Sequence, residues 1–170
     1  PLDALIAEFG SPLYVYSGDG LKRTLTAFQA AVAPVSGKVH FALKANSALG
    51  VIALLARCGA GADIVSAGEL ARALAAGIAA KDAVFSGVGK SAVDIRAALA
   101  AGIGQINAES AEEVAQISAV ASAMGVVAPV ALRVNVDVDA GTHAKISTGQ
   151  RSTKFGISTN QREAASLYAS

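Results

Sequence analysis

Apolar and polar residues alternate in short runs along the chain, and each strand-like run is followed by a helix-like run. Strand-like segments occur at residues 40–45, 62–66, 83–87, 104–108 and 128–135. Ala-rich segments with apolar residues at helical spacing follow the first four of them. A repeated order of strand then helix predicts a parallel sheet, because each helix must return the chain to the same edge.

Capping residues mark where these helices begin and end. A serine precedes an acid by three residues at Ser66 and Glu69, Ser91 and Asp94, and Ser110 and Glu113. This spacing predicts capping boxes at three helix starts. Glycines predict the helix ends at Gly59, Gly77, Gly102 and Gly125. The segments Glu69–Ile78 and Asp94–Ile103 nearly repeat, which favours stacked strand-helix units.

The strand pattern favours a barrel over an open parallel sheet. In HFALKAN (40–46), Phe41 and Leu43 would face helices, while Ala42, Lys44 and Asn46 would point the other way. Polar groups on the inner side of a strand suit the mouth of a (βα)8 barrel. Five such strands follow residue 38, whereas a full barrel needs eight strands in about 250 residues. We therefore predict a partial TIM-like barrel and expect the chain to be part of a longer protein.

The segment before the first barrel strand has a different pattern. SPLYVYS (11–17) predicts a separate strand, and the apolar residues after it recur at helical spacing, at Leu21, Leu25, Phe28 and Val32. The sequence thus divides into an N-terminal segment, 1–17, and a truncated α/β barrel, 18–170.

Composition and charge exclude several classes of function. The chain is 53% hydrophobic with a formal net charge of +1 and without a basic cluster, so nucleic acid is not an expected partner. No apolar run is long enough to cross a membrane and no signal-peptide pattern occurs, which favours a cytoplasmic location.

Two motifs suggest other chemistry but are incomplete. Gly89, Lys90 and Ser91 match the end of a phosphate-binding loop, but Val84 stands where its first glycine is required. His40 and His143 have no Cys or His partner at ligand spacing, so no zinc site is expected.

Lys44 stands among apolar and small residues and admits two interpretations. It is either a lysine that extends from a strand end into solvent, or a reactive amine at the mouth of a barrel. A partly desolvated lysine in that position can form a Schiff base with an aldehyde cofactor, and pyridoxal phosphate is the obvious candidate.

A resemblance supports the second interpretation. The stretches FALKANS, GAGADIVSAGEL, FSGVGKS, INAES, LRVNVDVDAGTHAKISTG and KFGIS together resemble the N-terminal part of diaminopimelate decarboxylases. These are fold type III, alanine racemase-like pyridoxal phosphate enzymes. FALKANS is shared with ornithine, arginine and carboxynorspermidine decarboxylases, whereas GTHAKISTG and KFG are more discriminating.

The resemblance implies roles for particular residues. Lys44 would carry pyridoxal phosphate as a Schiff base and later move protons, Asp63 would favour the protonated Schiff base, and Arg133 would lie near the cofactor. Further candidates at the site are Asn46, Ser66, Glu69 and His143. Capping alone already explains Ser66 and Glu69.

The reaction implied is decarboxylation of meso-2,6-diaminopimelate to L-lysine and carbon dioxide, by a homodimer with shared active sites. SPLYVYS would then join a second β-domain, and several family residues would lie beyond Ser170. Two alternatives stay open: another enzyme of the group, namely a related decarboxylase or a racemase, or a homologue that binds pyridoxal phosphate without catalysis. We expect residues 1–170 alone to be inactive.

Overall fold

Five strands pair in the order in which they occur along the chain, and every pair is parallel. The structure is a computed structural model that describes residues 1–135 and 156–158. The strands are β1 His40–Ala42, β2 Gly61–Ile64, β3 Ala83–Phe85, β4 Gln105–Ala108 and β5 Val130–Leu132. Within the described residues, β1 and β5 are the edges of this sheet.

The described residues form six α-helices. They are α1 Leu2–Phe9, α2 Gly18–Val32, α3 Leu49–Arg57, α4 Ala67–Ala75, α5 Ala92–Ala101 and α6 Ala111–Met124. The last four cross between consecutive strands, and the predicted partial barrel is thereby confirmed. None of the helices in the described part of the chain is long and apolar enough to span a membrane.

Side-chain alternation along the strands separates a core from a polar face. Ile64, Phe85 and Ile106 are fully buried and pack with the helices in the main hydrophobic cluster. Asp63 and Asn107 alternate with these residues and are half-buried on the opposite face of the sheet. We call this the inner face. Burial of the outward residues specifies the register, because a one-residue slip would bury the polar set instead.

The three predicted serine caps are confirmed, at Ser66, Ser91 and Ser110. Only α5 has the full reciprocal box, in which Asp94 Oδ2 accepts from the Ser91 N–H at 3.1 Å. Glu69 and Glu113 instead accept from the N–H one residue before the cap, on Val65 and Glu109. Their extra methylene gives them the longer reach.

The N-terminal segment differs from the prediction. Residues 11–17 form no strand, and Tyr14 is 87% exposed. A strand needs a hydrogen-bonding neighbour, and the described residues supply none for this segment. The preceding helix α1 was not predicted, and its Leu2 and Phe9 are also exposed. The assignment of residues 1–17 to a second β-domain stays a prediction.

The chain continues beyond β5 into a second small sheet. Strand β6, Val134–Asn135, pairs in parallel with β7, Ile157–Ser158. The sequence pattern did not predict a strand at β7, which is too short to show periodicity.

Two glycines give a matched test of the backbone packing. A Cβ on Gly104 would collide with the Lys81 carbonyl oxygen, whereas a Cβ on Gly50 in α3 would meet open space. We expect Gly104→Ala to destabilise the full-length protein by about 1–3 kcal/mol, and Gly50→Ala to be neutral or stabilising by up to about 1 kcal/mol. Thermal unfolding of both variants measures this, and equal melting temperatures would contradict the packing at Gly104.

A second prediction concerns Asp94, which joins two helices. Its Oδ1 accepts from the Ala67 N–H of α4 at 3.0 Å, and its Oδ2 accepts from the Ser91 hydroxyl at 2.5 Å. The bond from Ser91, then that from Ala67, lowers the pKa of the Asp94 carboxyl. A lowered folded-state pKa gives stability above the unfolded value, about 3.9, that is lost as pH falls through the folded value.

We therefore expect Asp94→Asn to lower the melting temperature at pH 7 and to lose this deficit below about pH 3.9. Melting temperatures of both proteins across this range measure it. A deficit that stays constant with pH would show that the carboxylate charge does not contribute.

Candidate active site at the carboxyl ends of the strands

Lys44 lies immediately beyond β1, in a single 3₁₀ turn over Leu43–Ala45. The prediction that the strand runs through Lys44 is wrong, because β1 ends at Ala42. Leu43 is fully buried and anchors the turn, while Lys44 is exposed. Among the described residues, no hydrogen bond or ion pair engages the Lys44 amine. The turn therefore presents this amine at the edge where all five strands end, without the partial desolvation that we expected.

The segment after Lys44 is held by two hydrogen bonds. Asn46 Oδ1 accepts from the Ala48 N–H at 3.0 Å, ahead of α3. Arg72 Nη1, from α4, donates to the Ser47 carbonyl oxygen at 3.0 Å. Asn46 thus has a local role at the start of α3, and the segment that carries Lys44 is attached to the neighbouring helix.

Asp63 lies on the strand next to that of Lys44. Its Cα pairs with that of Ala42 across β1 and β2. Its Oδ1 accepts a 2.5 Å hydrogen bond from the Ser86 hydroxyl, just beyond β3. The structure thus places Asp63 at the predicted edge, with a partner that the sequence did not reveal.

The bond from Ser86 continues across the inner face of the sheet. Asn107 Nδ2, on β4, donates to Ser86 Oγ at 3.1 Å, and Gln105 Nε2 donates to Asn107 Oδ1 at 2.7 Å. We call Gln105, Asn107, Ser86 and Asp63 the inner-face chain. The signal in the sequence was the polar residue at the carboxyl end of each strand, in FSG and INAES.

Ser66 and Glu69 lie at the start of α4. Ser66 Oγ accepts from the Glu69 N–H at 3.2 Å, and Glu69 Oε2 accepts from the Val65 N–H at 2.8 Å. Both side chains are thus engaged in capping the helix. His143, the remaining candidate, lies outside the described residues.

Arg133 directly follows β5 and is paired with Glu109, which directly follows β4. Arg133 Nη1 lies 2.9 and 3.1 Å from the two Glu109 carboxylate oxygens. The Glu109 side chain is only 4% exposed, whereas that of Arg133 is 39% exposed. The Gly156 N–H also donates to Glu109 Oε2, at 3.1 Å. A buried carboxylate therefore holds the Arg133 guanidinium at the same edge as Lys44.

Lys90 is buried, and its amine makes hydrogen bonds within the protein. Its Nζ donates to the carbonyl oxygens of Gly87 and Asn107, at 2.6 and 2.7 Å, and to Glu113 Oε1 at 2.9 Å. These three bonds use all three N–H groups of the ammonium. The Lys90 side chain is 0% exposed. This geometry supports the rejection of the phosphate-loop interpretation, because Lys90 points into the protein and Ser91 caps α5.

The described residues fit one end of a pyridoxal cofactor. An aldehyde needs a primary amine, which Lys44 presents, and a protonated nitrogen formed there is favoured by a nearby carboxylate. Asp63 supplies a carboxylate on the adjacent strand. These groups lie at the carboxyl ends of parallel strands, where barrel enzymes place their active sites. The fold and site therefore define a partial α/β-barrel domain with an exposed lysine at the carboxyl ends of its strands.

Residues 19–170 match the family model of the pyridoxal-dependent decarboxylase, pyridoxal binding domain, and the chain belongs to this family. The predicted pyridoxal cofactor is thus confirmed at the level of the family.

Named relatives agree with the resemblance found in the sequence. The chain is 51% identical over 163 residues to diaminopimelate decarboxylase of Pseudomonas aeruginosa, covering 96% of this chain and 39% of the relative. Diaminopimelate decarboxylase of Helicobacter pylori in complex with L-lysine superposes with a TM-score of 0.94 at 39% identity, over 99% of this chain and 42% of that chain. The M. jannaschii enzyme with L-lysine gives 0.84 at 36% identity, over 98% and 40%. The chain spans about two fifths of the length of these relatives.

The buried Lys90 generates a stability prediction. Lys90→Met leaves Glu113 Oε1 and two carbonyl groups without their donor and the Glu113 charge without its partner, which should destabilise the full-length protein by about 3–5 kcal/mol. The double variant Lys90→Met with Glu113→Leu removes the orphaned charge and should recover part of that loss. Urea unfolding measures both, with the exposed Lys81→Ala as control. Wild-type stability of Lys90→Met would contradict this role.

Proposed function

We propose that the protein to which this chain belongs decarboxylates meso-2,6-diaminopimelate to L-lysine and carbon dioxide with pyridoxal phosphate, and that this chain supplies the lysine that holds the cofactor. The observation that carries the proposal is the exposed Lys44 amine at the carboxyl ends of the strands. The identity of about one half to a named diaminopimelate decarboxylase, over 96% of the chain, supports the choice of substrate.

Lys44 would hold pyridoxal phosphate through the aldehyde carbon of the cofactor. When bound, the cofactor ring accepts the electron pair that the departing carboxylate leaves on the substrate carbon. The protein must then orient the scissile carboxylate and return a proton to that carbon. Lys44 Nζ is suited to carry the proton, since it is a primary amine on a turn anchored by the buried Leu43.

Asp63 would act through its charge. Its carboxylate lies on the strand beside the Lys44 turn, where it would favour a protonated nitrogen between Lys44 and the cofactor. Arg133 would balance anionic groups at the same edge, with Glu109 fixing its guanidinium. The roles of Asn46, Ser66, Glu69 and His143 at the cofactor stay predictions, and the first three are held by local capping bonds.

The assembly of the whole protein is part of the proposal. A homodimer with shared active sites, a second β-domain that includes residues 1–17, and a cytoplasmic location stay predictions. The exposed apolar side chains of α1 and of residues 13–16 support a further domain that covers them. Light scattering of the full-length protein tests the dimer, for which twice the protomer mass is expected.

Lys44→Ala in the full-length protein tests the function. We expect the wild type to show the visible absorbance of lysine-bound pyridoxal phosphate and to release carbon dioxide from meso-diaminopimelate. Lys44→Ala should lose the absorbance and reduce the release by roughly a thousandfold or more, since the covalent attachment is gone. Lys81→Ala is a matched control, because this exposed lysine also lies in a 3₁₀ turn, Ala80–Asp82, but before β3, at the opposite end of the strands.

The possible outcomes separate the alternatives. Carbon dioxide release from L-ornithine or L-arginine, but not from meso-diaminopimelate, would support the assignment of the cofactor and contradict the assignment of the substrate. Cofactor absorbance without turnover of any of these would support a binding homologue without catalysis. An unchanged spectrum in Lys44→Ala would overturn the role of Lys44.

A further inference from the structure

The inner-face chain connects three strands through side chains alone. It runs from Gln105 and Asn107 on β4, through Ser86 beyond β3, to Asp63 on β2. Each of its bonds is 3.1 Å or shorter, and each of its members is half-buried. Polar groups in such surroundings interact more strongly than they would in water. The inner-face chain ends at Asp63, on the strand next to the one that leads to Lys44.

The donor and acceptor capacities of these groups allow the hydrogen bonds of the inner-face chain to run in only one direction. A carboxylate has only acceptor oxygens, so the one hydroxyl hydrogen of Ser86 must point to Asp63. Ser86 Oγ can then only accept from its other neighbour, so Asn107 must turn its NH2 group towards it. The Asn107 oxygen is left for the Gln105 NH2 group. Every donor therefore points towards Asp63, and reversal of the Asn107 amide would break two bonds.

The donors are fixed by their backbones as well as by one another. The Ser86 N–H donates to the Ile64 carbonyl oxygen at 2.8 Å, in continuation of the pairing of β2 with β3. The Asn107 carbonyl oxygen accepts from the buried Lys90 at 2.7 Å. The backbones of both donors are thus hydrogen-bonded in place, whereas a half-buried aspartate without these donors could rotate about χ1.

We propose that Ser86 and Asn107 are positioning residues that hold the Asp63 carboxylate in one orientation towards the Lys44 turn. This inference rests on the proposed function, because the orientation of Asp63 matters only if Lys44 holds the cofactor. Ser86 has the direct effect through its bond to Asp63, and Asn107 orients the Ser86 hydroxyl. Gln105 completes the chain from the far side.

The test uses Ser86→Ala in the full-length protein loaded with pyridoxal phosphate. Loss of a hydrogen bond to a charged group should lower kcat for meso-diaminopimelate about tenfold or more, with KM changed less than about threefold. The visible spectrum of the bound cofactor should shift, since the charge beside Lys44 is no longer held in place. Ser86→Thr, which keeps the hydroxyl, should restore both the spectrum and kcat. Ser118→Ala, an exposed position on α6, should change neither.

A double-mutant comparison separates positioning from a direct role. If Ser86 acts only through Asp63, Ser86→Ala should lower kcat less than about twofold when Asp63→Asn is already present. Asn107→Leu should likewise add little to Ser86→Ala. Melting temperatures of all variants should stay close to wild type, so that the effects are not those of unfolding.

Each outcome decides between the two proposals. If Ser86→Ala lowers kcat equally with and without Asp63→Asn, the positioning role of Ser86 is overturned and the proposed function stays intact. The same holds if the wild type binds cofactor and turns over substrate while Ser86→Ala matches it in spectrum and kcat. A wild type without cofactor absorbance would overturn both proposals. Loss in Ser86→Ala, rescue by Ser86→Thr and no further loss beside Asp63→Asn would support the inference.

Discussion

Parallel pairing of five consecutive strands is the constraint on which the rest of this structure depends. Each strand must be entered from the same end, so a helix has to carry the chain back after each of the first four strands. All carboxyl ends then meet at one edge. Residues as distant in sequence as Lys44, Asp63 and Arg133 reach that edge for this reason. The site is therefore a consequence of topology before it is a consequence of any side-chain contact.

Burial of charged groups near this edge costs desolvation free energy, and local hydrogen bonds and ion pairs offset that cost. Lys90 is buried and would be strongly unfavourable alone, but it has three acceptors, of which Glu113 carries the opposite charge. Glu113 also accepts from the Glu109 N–H, and the Glu109 carboxylate holds Arg133. These contacts connect the end of β4 to the start of α6, and they hold the Arg133 guanidinium at the edge.

Much of the fold could be predicted, because local signals agreed with one another. The five barrel strands and the serine caps at Ser66, Ser91 and Ser110 are indicated by short sequence patterns that can be recognised without knowledge of distant residues. Prediction failed where the local conformation depends on contacts with residues distant in sequence. Residues 11–17 have the composition of a strand, but the described part of the chain offers them no neighbour to pair with. The end of β1 before Lys44 depends on the burial of Leu43.

By itself the sequence determined the order of strands and helices, the helix caps, and the family resemblance that singled out Lys44, Asp63 and Arg133. These depend on local spacing and on residue identity, which can be read along one chain. Only the tertiary structure decided that Ser86 donates to Asp63, that Asn107 supports Ser86, and that Lys90 is a saturated internal cation. Such contacts join residues about 20 positions apart, and they form only once the register of neighbouring strands is set by burial of the outward face.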